Sequence, residues 1–125
     1  MKVYELQHVH FGEIKMLGFF SNMKKCADAI EKSREREEFR DFPTGFVTFE
    51  RTVPDCRAVY LAAVYIHDED CEFEYTHEIG LFSKEFDATN AAQSFIERNR
   101  GRLESDETEG LCIELLIDTY KLDEM

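Results

Sequence analysis

A four-residue phrase occurs twice in this chain, and an internal repeat limits the possible folds more than any single motif does. Gly18-Phe19-Phe20-Ser21 returns as Gly80-Leu81-Phe82-Ser83, and small residues then fall in step at the same offset, Cys26 with Ala88 and Ala29 with Ala91. Each copy closes a strand-like stretch and opens a helical one. The chain therefore reads as two copies of one hairpin-helix-strand unit, the first over about residues 2–54 and the second over about 57–122. Both belong to one domain of residues 1–125, a length at which roughly two-thirds of the unfolded surface is buried without staples.

In the first unit, Lys2 to His10 alternates as a strand and Phe11-Gly12-Glu13 turns it back into Ile14 to Phe20. Ser21 is placed to cap a helix from Asn22 to about Glu38, with Met23, Cys26, Ala27 and Ile30 on its inner face. The segment Phe39 to Phe46 ends that helix, because Pro43 holds Phe42 extended and Gly45 permits a bend. Phe46 to Val53 is a third strand.

The second unit opens with Ala58 to Ile66, apolar almost throughout, which suits a strand covered on both faces or one at the centre of a dimer. His67 to Asp70 forms a tip, and Cys71 to Phe82 returns. Ser83 caps a helix from Lys84 to Arg100 whose inner face is Phe86, Ala88, Ala91, Ala92, Phe95 and Ile96, with Gly101 as its stop. Leu111 to Leu122 closes the unit, Ile113, Leu115 and Ile117 sharing one side. The expected fold is α+β: two ββαβ repeats forming a mostly antiparallel sheet with two helices on one face. Phe49, Tyr60, Tyr65 and Tyr120 are candidates for the other face, either solvated or the seat of a homodimer.

The residues just described also carry a resemblance. Val3-Tyr4-x-Leu6-x-His8, Gly18-x-Phe20-Ser21, Ala29-Ile30 and Phe39-x-Asp41-x-Pro43-x-Gly45-Phe46 resemble an uncharacterised family of small bacterial and phage domains, over about residues 2–53. The second half keeps Val59-Tyr60, Gly80-x-Phe82-Ser83 and the small helix residues, and lacks the Pro-x-Gly-Phe element. The resemblance implies a fold and no activity. Its members look like small accessory proteins, which favours a binding role in conflict between bacteria and phages.

Charge separates the two halves. Residues 1–57 carry ten basic and ten acidic side chains, so the net charge of −12 resides wholly in residues 58–125. An acidic surface repels nucleic acid and anionic membrane and attracts basic proteins. The carboxylates Asp68, Glu69, Asp70, Glu72, Glu74 and Glu78, with Glu104, Asp106, Glu107 and Glu109, are the candidate partner-binding residues, able to imitate the charge of a nucleic acid before a basic cleft.

Other chemistry finds less support in the residues. Cys26, Cys56, Cys71 and Cys112 form no CxxC pair and match no zinc spacing, so they read as free thiols of a reducing cytoplasm; a Cys56–Cys71 bridge would also suit a hairpin. His8 and His10 lie two apart on one strand face, near Glu13, a spacing compatible with metal but two ligands short of a site. The 67–70 tip is rich in oxygen ligands without the calcium-loop spacing. Lys2 leads straight into a strand, so no signal peptide is expected, and no apolar run reaches the ~20 residues of a membrane helix. No nucleophile elbow, phosphate loop or H-E-x-x-H occurs.

The sequence thus points to a cytoplasmic, non-catalytic binding protein with no cofactor and no metal, masking a basic partner such as a nuclease, in an immunity or anti-defence role. The alternative is a metal- or small-molecule-binding protein using His8, His10 and the 67–70 tip.

Overall fold

In both repeats the hairpin register slips at the same place, immediately before the repeated glycine. The computed structural model describes residues 1–68, 73–103 and 112–125. The first unit contains β1 (Lys2–His10), β2 (Glu13–Phe20), α1 (Met23–Arg34) and β3 (Phe46–Thr52). The second contains β4 (Ala58–His67), β5 (Glu74–Phe82), α2 (Glu85–Leu103) and β6 (Cys112–Lys121). Leu6 pairs with Gly18 and Gln7 with Met16, leaving Leu17 as a bulge; Ala62 pairs with Gly80 and Ala63 with Glu78, leaving Ile79. A bulge turns one extra side chain onto the inner face, and Leu17 and Ile79 each join the core of their own unit. Tyr4 faces Phe20 as Tyr60 faces Phe82. The duplication read from the sequence is therefore present in the strand pairing.

The fold is α+β, with the strands in two three-stranded antiparallel sheets of order β2-β1-β3 and β5-β4-β6. The single continuous sheet expected from the sequence is thus divided, one sheet to a repeat. By compactness the chain forms two units, Met1–Ala58 with Tyr120–Met125, and Val59–Thr119. Among the described residues no helix is long and apolar enough to cross a membrane.

In the first unit Leu6, Leu17 and Phe20 of the hairpin, Cys26 and Ala29 of α1, and Phe39 form one buried cluster. Leu6 and Phe39 are almost wholly buried, and each large apolar side chain removed from water stabilises the unit by roughly 1.5–3 kcal/mol. The inner face of α1 is Cys26, Ala29, Ile30 and Ser33; Met23 is half exposed and Ala27 faces solvent, contrary to expectation. The helix also ends at Arg34, earlier than its charged tail suggested. Asn22 supplies the N-cap, its side-chain oxygen accepting from the Lys25 amide at 2.9 Å, so Ser21 is not the cap. The hairpin turn sets both Phe11 (φ 46) and Gly12 (φ 82) left-handed, the geometry of a two-residue primed turn.

In the second unit Ala62, Val64, Ile66, Ala88 and Ala92 form the centre, joined by Phe95, Ile96, Ile113, Leu115 and Ile117. On the opposite side of β4, Val59 and Ala63 are buried too and Leu61, Tyr65 and His67 are half-buried, so the outer side of this strand is covered in part. Tyr60 belongs with the helix-side cluster, not with the outer face. The Lys84 carbonyl accepts from the Ala88 amide at 3.2 Å, which places Lys84 and not Ser83 at the helix start. Phe86 is 73% exposed, and α2 runs through Gly101 instead of stopping there.

Candidate functional site

Alternation along β5 and β6 sorts their side chains onto two faces. His77 stacks on Phe95 (centroids 4.8 Å apart), and Ile113, Leu115 and Ile117 pack in the α2 cluster, so these residues face the helix. Glu74 and Glu78 on β5, and Glu114 and Asp118 on β6, then share the outer face, and all four are exposed. Between them on β4 lie Tyr65 and His67, stacked at 4.7 Å. The Tyr65 hydroxyl donates to Glu74 Oε1, and His67 Nε2 lies 3.5 Å from Glu114 Oε2. Glu74 and Glu78 are about 13 Å apart at ~3.3 Å per residue, which exceeds the Debye length of about 8 Å at physiological salt, so the two repel each other weakly.

Of the ten carboxylates singled out in the sequence, Asp68, Glu74 and Glu78 lie among the described residues. Glu69, Asp70, Glu72, Glu104, Asp106, Glu107 and Glu109 lie outside them. Glu74 and Glu78 come together on one sheet face. Asp68 does not join them as a plain surface charge: its amide donates to Phe73 O (3.2 Å), and its Oδ1 is buried with no hydrogen-bond partner among the described residues. Glu114 and Asp118 were missed in the sequence, although strict alternation with Ile113, Leu115 and Ile117 already placed them opposite the core.

His8 and His10 do point the same way, onto the segment that follows α1. His8 is nearly buried, its ring 4.5 Å from Phe39 and 4.9 Å from Phe46, and its Nε2 lies 2.9 Å from Phe42 O, a hydrogen bond that the imidazole donates. The His10 ring packs against Phe42, the two tilted by 34° with centroids 3.4 Å apart. A Cβ at Gly45 would lie 2.6 Å from Val9 O and 2.7 Å from His8 Nε2, so the Pro-x-Gly-Phe element is the close-fitting roof over this histidine. In the second repeat, which lacks that element, Val64 stands where His8 does. Among the described residues no group of three or more His, Cys, Asp and Glu is placed to hold a metal ion.

Cys26, Cys56 and Cys112 are free thiols, and Cys71 lies outside the described residues. Burial pushes the Cys26 thiol up, the Thr48 hydroxyl at 3.7 Å only partly offsetting it, and burial likewise raises Cys56. A raised thiol is a poor nucleophile at neutral pH.

A second polar cluster involves Ser21. Asp123, at φ 67, accepts from the Ser21 amide (2.8 Å), the Ser21 hydroxyl (2.9 Å) and Lys25 Nζ (3.1 Å). Burial alone would raise this carboxyl, but the Ser21 amide, the Lys25 ammonium and the Ser21 hydroxyl together hold it below its ordinary value. Met125 follows onto Ser33, and the segment borders an open 470 Å³ cleft with Phe20, Lys25, Asp28, Ala29 and Lys32. The paired lysines and aspartates there favour no single ligand charge.

Comparison of the chain with protein-family models, with curated proteins and with solved structures gives no match. The family resemblance therefore rests on the quoted residues alone, and function on the site.

Proposed function

We propose that the protein is a non-catalytic binding module whose second repeat docks on a basic partner protein and masks it. The observation that carries this reading is the shared, exposed outer face of Glu74, Glu78, Glu114 and Asp118, in the half of the chain that holds the whole net charge. Side chains on paired strands are held at fixed spacing, so the charges meet a partner with little ordering cost. Negative potential over such a face accelerates encounter with a basic cleft and disfavours nucleic acid and anionic lipid. A nuclease is the partner class that fits, since its substrate cleft is basic; an immunity or anti-defence inhibitor follows from that choice.

The test is capture of a basic protein from the native host on the immobilised chain, repeated with Glu78→Lys, Glu114→Lys and Asp118→Lys combined. The expected result is specific capture at low salt, release as ionic strength approaches about 0.5 M, and loss of capture by the charge-reversed chain with its circular dichroism unchanged. Capture that survives both salt and charge reversal overturns the proposal.

A further inference from the structure

The repeated phrase is covered in one copy and open in the other. In the first repeat the segment Tyr120–Met125 lies along the free edge of β2: the Asp123 amide donates to Phe19 O at 2.8 Å, and a Cβ at Gly18 would stand 2.5 Å from Glu124 O. Gly18, Phe19 and Phe20 are buried. Phe19 pairs with Glu5 as Leu81 pairs with Leu61, so the Leu81 carbonyl points outward from the edge of β5 in the same way. Among the described residues no amide donates to it, and a Cβ at Gly80 would meet the Phe82 ring, at 3.3 Å, and no backbone. Gly80, Leu81 and Phe82 are half-buried. The segment after β3 has no donor for this bond. The Val53 amide donates to Met1 O as the Leu122 amide donates to Arg57 O, which sets Pro54 level with Asp123, and proline has no N–H. An uncharged, unpaired strand edge invites the addition of another strand.

We propose that the edge of β5 at residues 80–83, together with the start of α2, is a second docking site that takes an extended segment of another protein carrying a lysine or arginine. The first repeat shows the mode of seating: one backbone bond to the strand edge, and a side chain turned onto the serine. Charge sets the occupant. Asp123 is held by Lys25 Nζ at 3.1 Å, and Lys32 borders the same cleft. At the offset of the repeat those two positions are Asp87 and Ser94, while Met23 becomes Glu85 and Asn22 becomes Lys84. Glu85 and Asp87 are exposed on the first turn of α2, which is net negative even with Lys84 beside it. A cation at the place of Asp123 lies beside Asp87 and donates to the Ser83 hydroxyl, whereas a carboxylate there is repelled. The Asp123-Glu124 segment of a second copy is thereby disfavoured. Strand addition of this kind draws affinity from the backbone and selectivity from the side chains it seats. The site is separate from the four outer-face carboxylates and stands independently of them.

The probes are two short peptides with blocked termini, one copying residues 120–125 and the other the same with Asp123→Lys. Each is titrated at low salt into the isotope-labelled full chain while its backbone amides are followed by NMR. The expected result is movement of the Leu81, Phe82 and Ser83 amides by the lysine peptide, with the unaltered peptide binding about tenfold more weakly or less still. Asp87→Lys in the chain should reverse that preference. Gly80→Ala should remove binding of both peptides with circular dichroism unchanged, because its methyl stands where the seated backbone must approach. The proposal is overturned if neither peptide moves these amides at about 5 mM, if the preference is indifferent to Asp87→Lys, or if Gly80→Ala binds as the wild type does. Movement of the same amides on concentrating the chain alone makes a second copy the occupant and overturns it as well.

Discussion

The two repeats share a frame and differ in how they fill it. Leu6 and His8 in β1 correspond to Ala62 and Val64 in β4, and Ser33 in α1 corresponds to Phe95 in α2. Volume lost from the strand in the second repeat is returned by a larger residue at an equivalent helix position, Phe95 for Ser33, whereas the first gains volume from Phe39, beyond the end of α1. Cores tolerate such exchanges when total volume is kept. What the difference teaches is that the bulged hairpin is the constant part of the design, and everything packed on it is free to diverge, including the chemistry of its outer face.

Substituting the repeated glycine tests that comparison most severely. A Cβ at Gly18 would lie 2.5 Å from the Glu124 carbonyl, while at Gly80 the nearest atoms are Phe82 ring carbons at 3.3 and 3.4 Å. Backbone cannot move aside as a ring edge can, so Gly18→Ala should destabilise by about 2–3 kcal/mol. Gly80→Ala should lie within about 0.5 kcal/mol of neutral, since alanine offsets the clash by lowering chain entropy. Urea unfolding of the two variants measures both, and equal losses would mean that the glycines do the same job.

The next effect is smaller and depends on pH. Asp123→Asn keeps the left-handed backbone, which asparagine also tolerates, and removes only the charge that accepts from Ser21 and Lys25. A loss of about 1 kcal/mol is expected at pH 7. Because the folded carboxyl lies below its unfolded value, its contribution is fully present above the ordinary carboxylate range near pH 4 and fades as pH falls through the lower folded value. The wild type and the variant should therefore converge in stability at acid pH; a gap that persists there would assign the effect to shape and not to charge. Least of all, Lys84→Asn gives the second helix the cap that Asn22 gives the first, and thermal unfolding should register a gain of about 0.5–1 kcal/mol.

Much of the frame was legible in the residues. The repeat, both hairpins, the buried inner side of β4, the inner face of β6 and, on α2, Ala88, Ala92, Phe95 and Ile96 follow from period and composition. Capping failed as a guide because Ser21 has a stronger partner in Asp123, 102 residues away, than the nearby amides offer. Met23 and Phe86 were misplaced for a local reason: each sits at or next to the first residue of its helix, where no preceding turn holds the side chain against the sheet. The acidic face was half legible, since Glu74 and Glu78 stood out in a charged run whereas Glu114 and Asp118 were hidden by apolar neighbours. His8 looked like chemistry and is held as structure, because nothing in β1 announces that Phe42 will present a carbonyl to it.

The bond between Ser21 and Asp123 has a consequence for how the protein is made. Residues Tyr120–Met125 belong with the first unit yet emerge from the ribosome after the whole of the second. At ~5–20 residues per second, the opening repeat waits for seconds with Gly18 and the start of α1 uncovered. Manufacture and assembly therefore run in different orders: the half that is translated first is the half that is finished last.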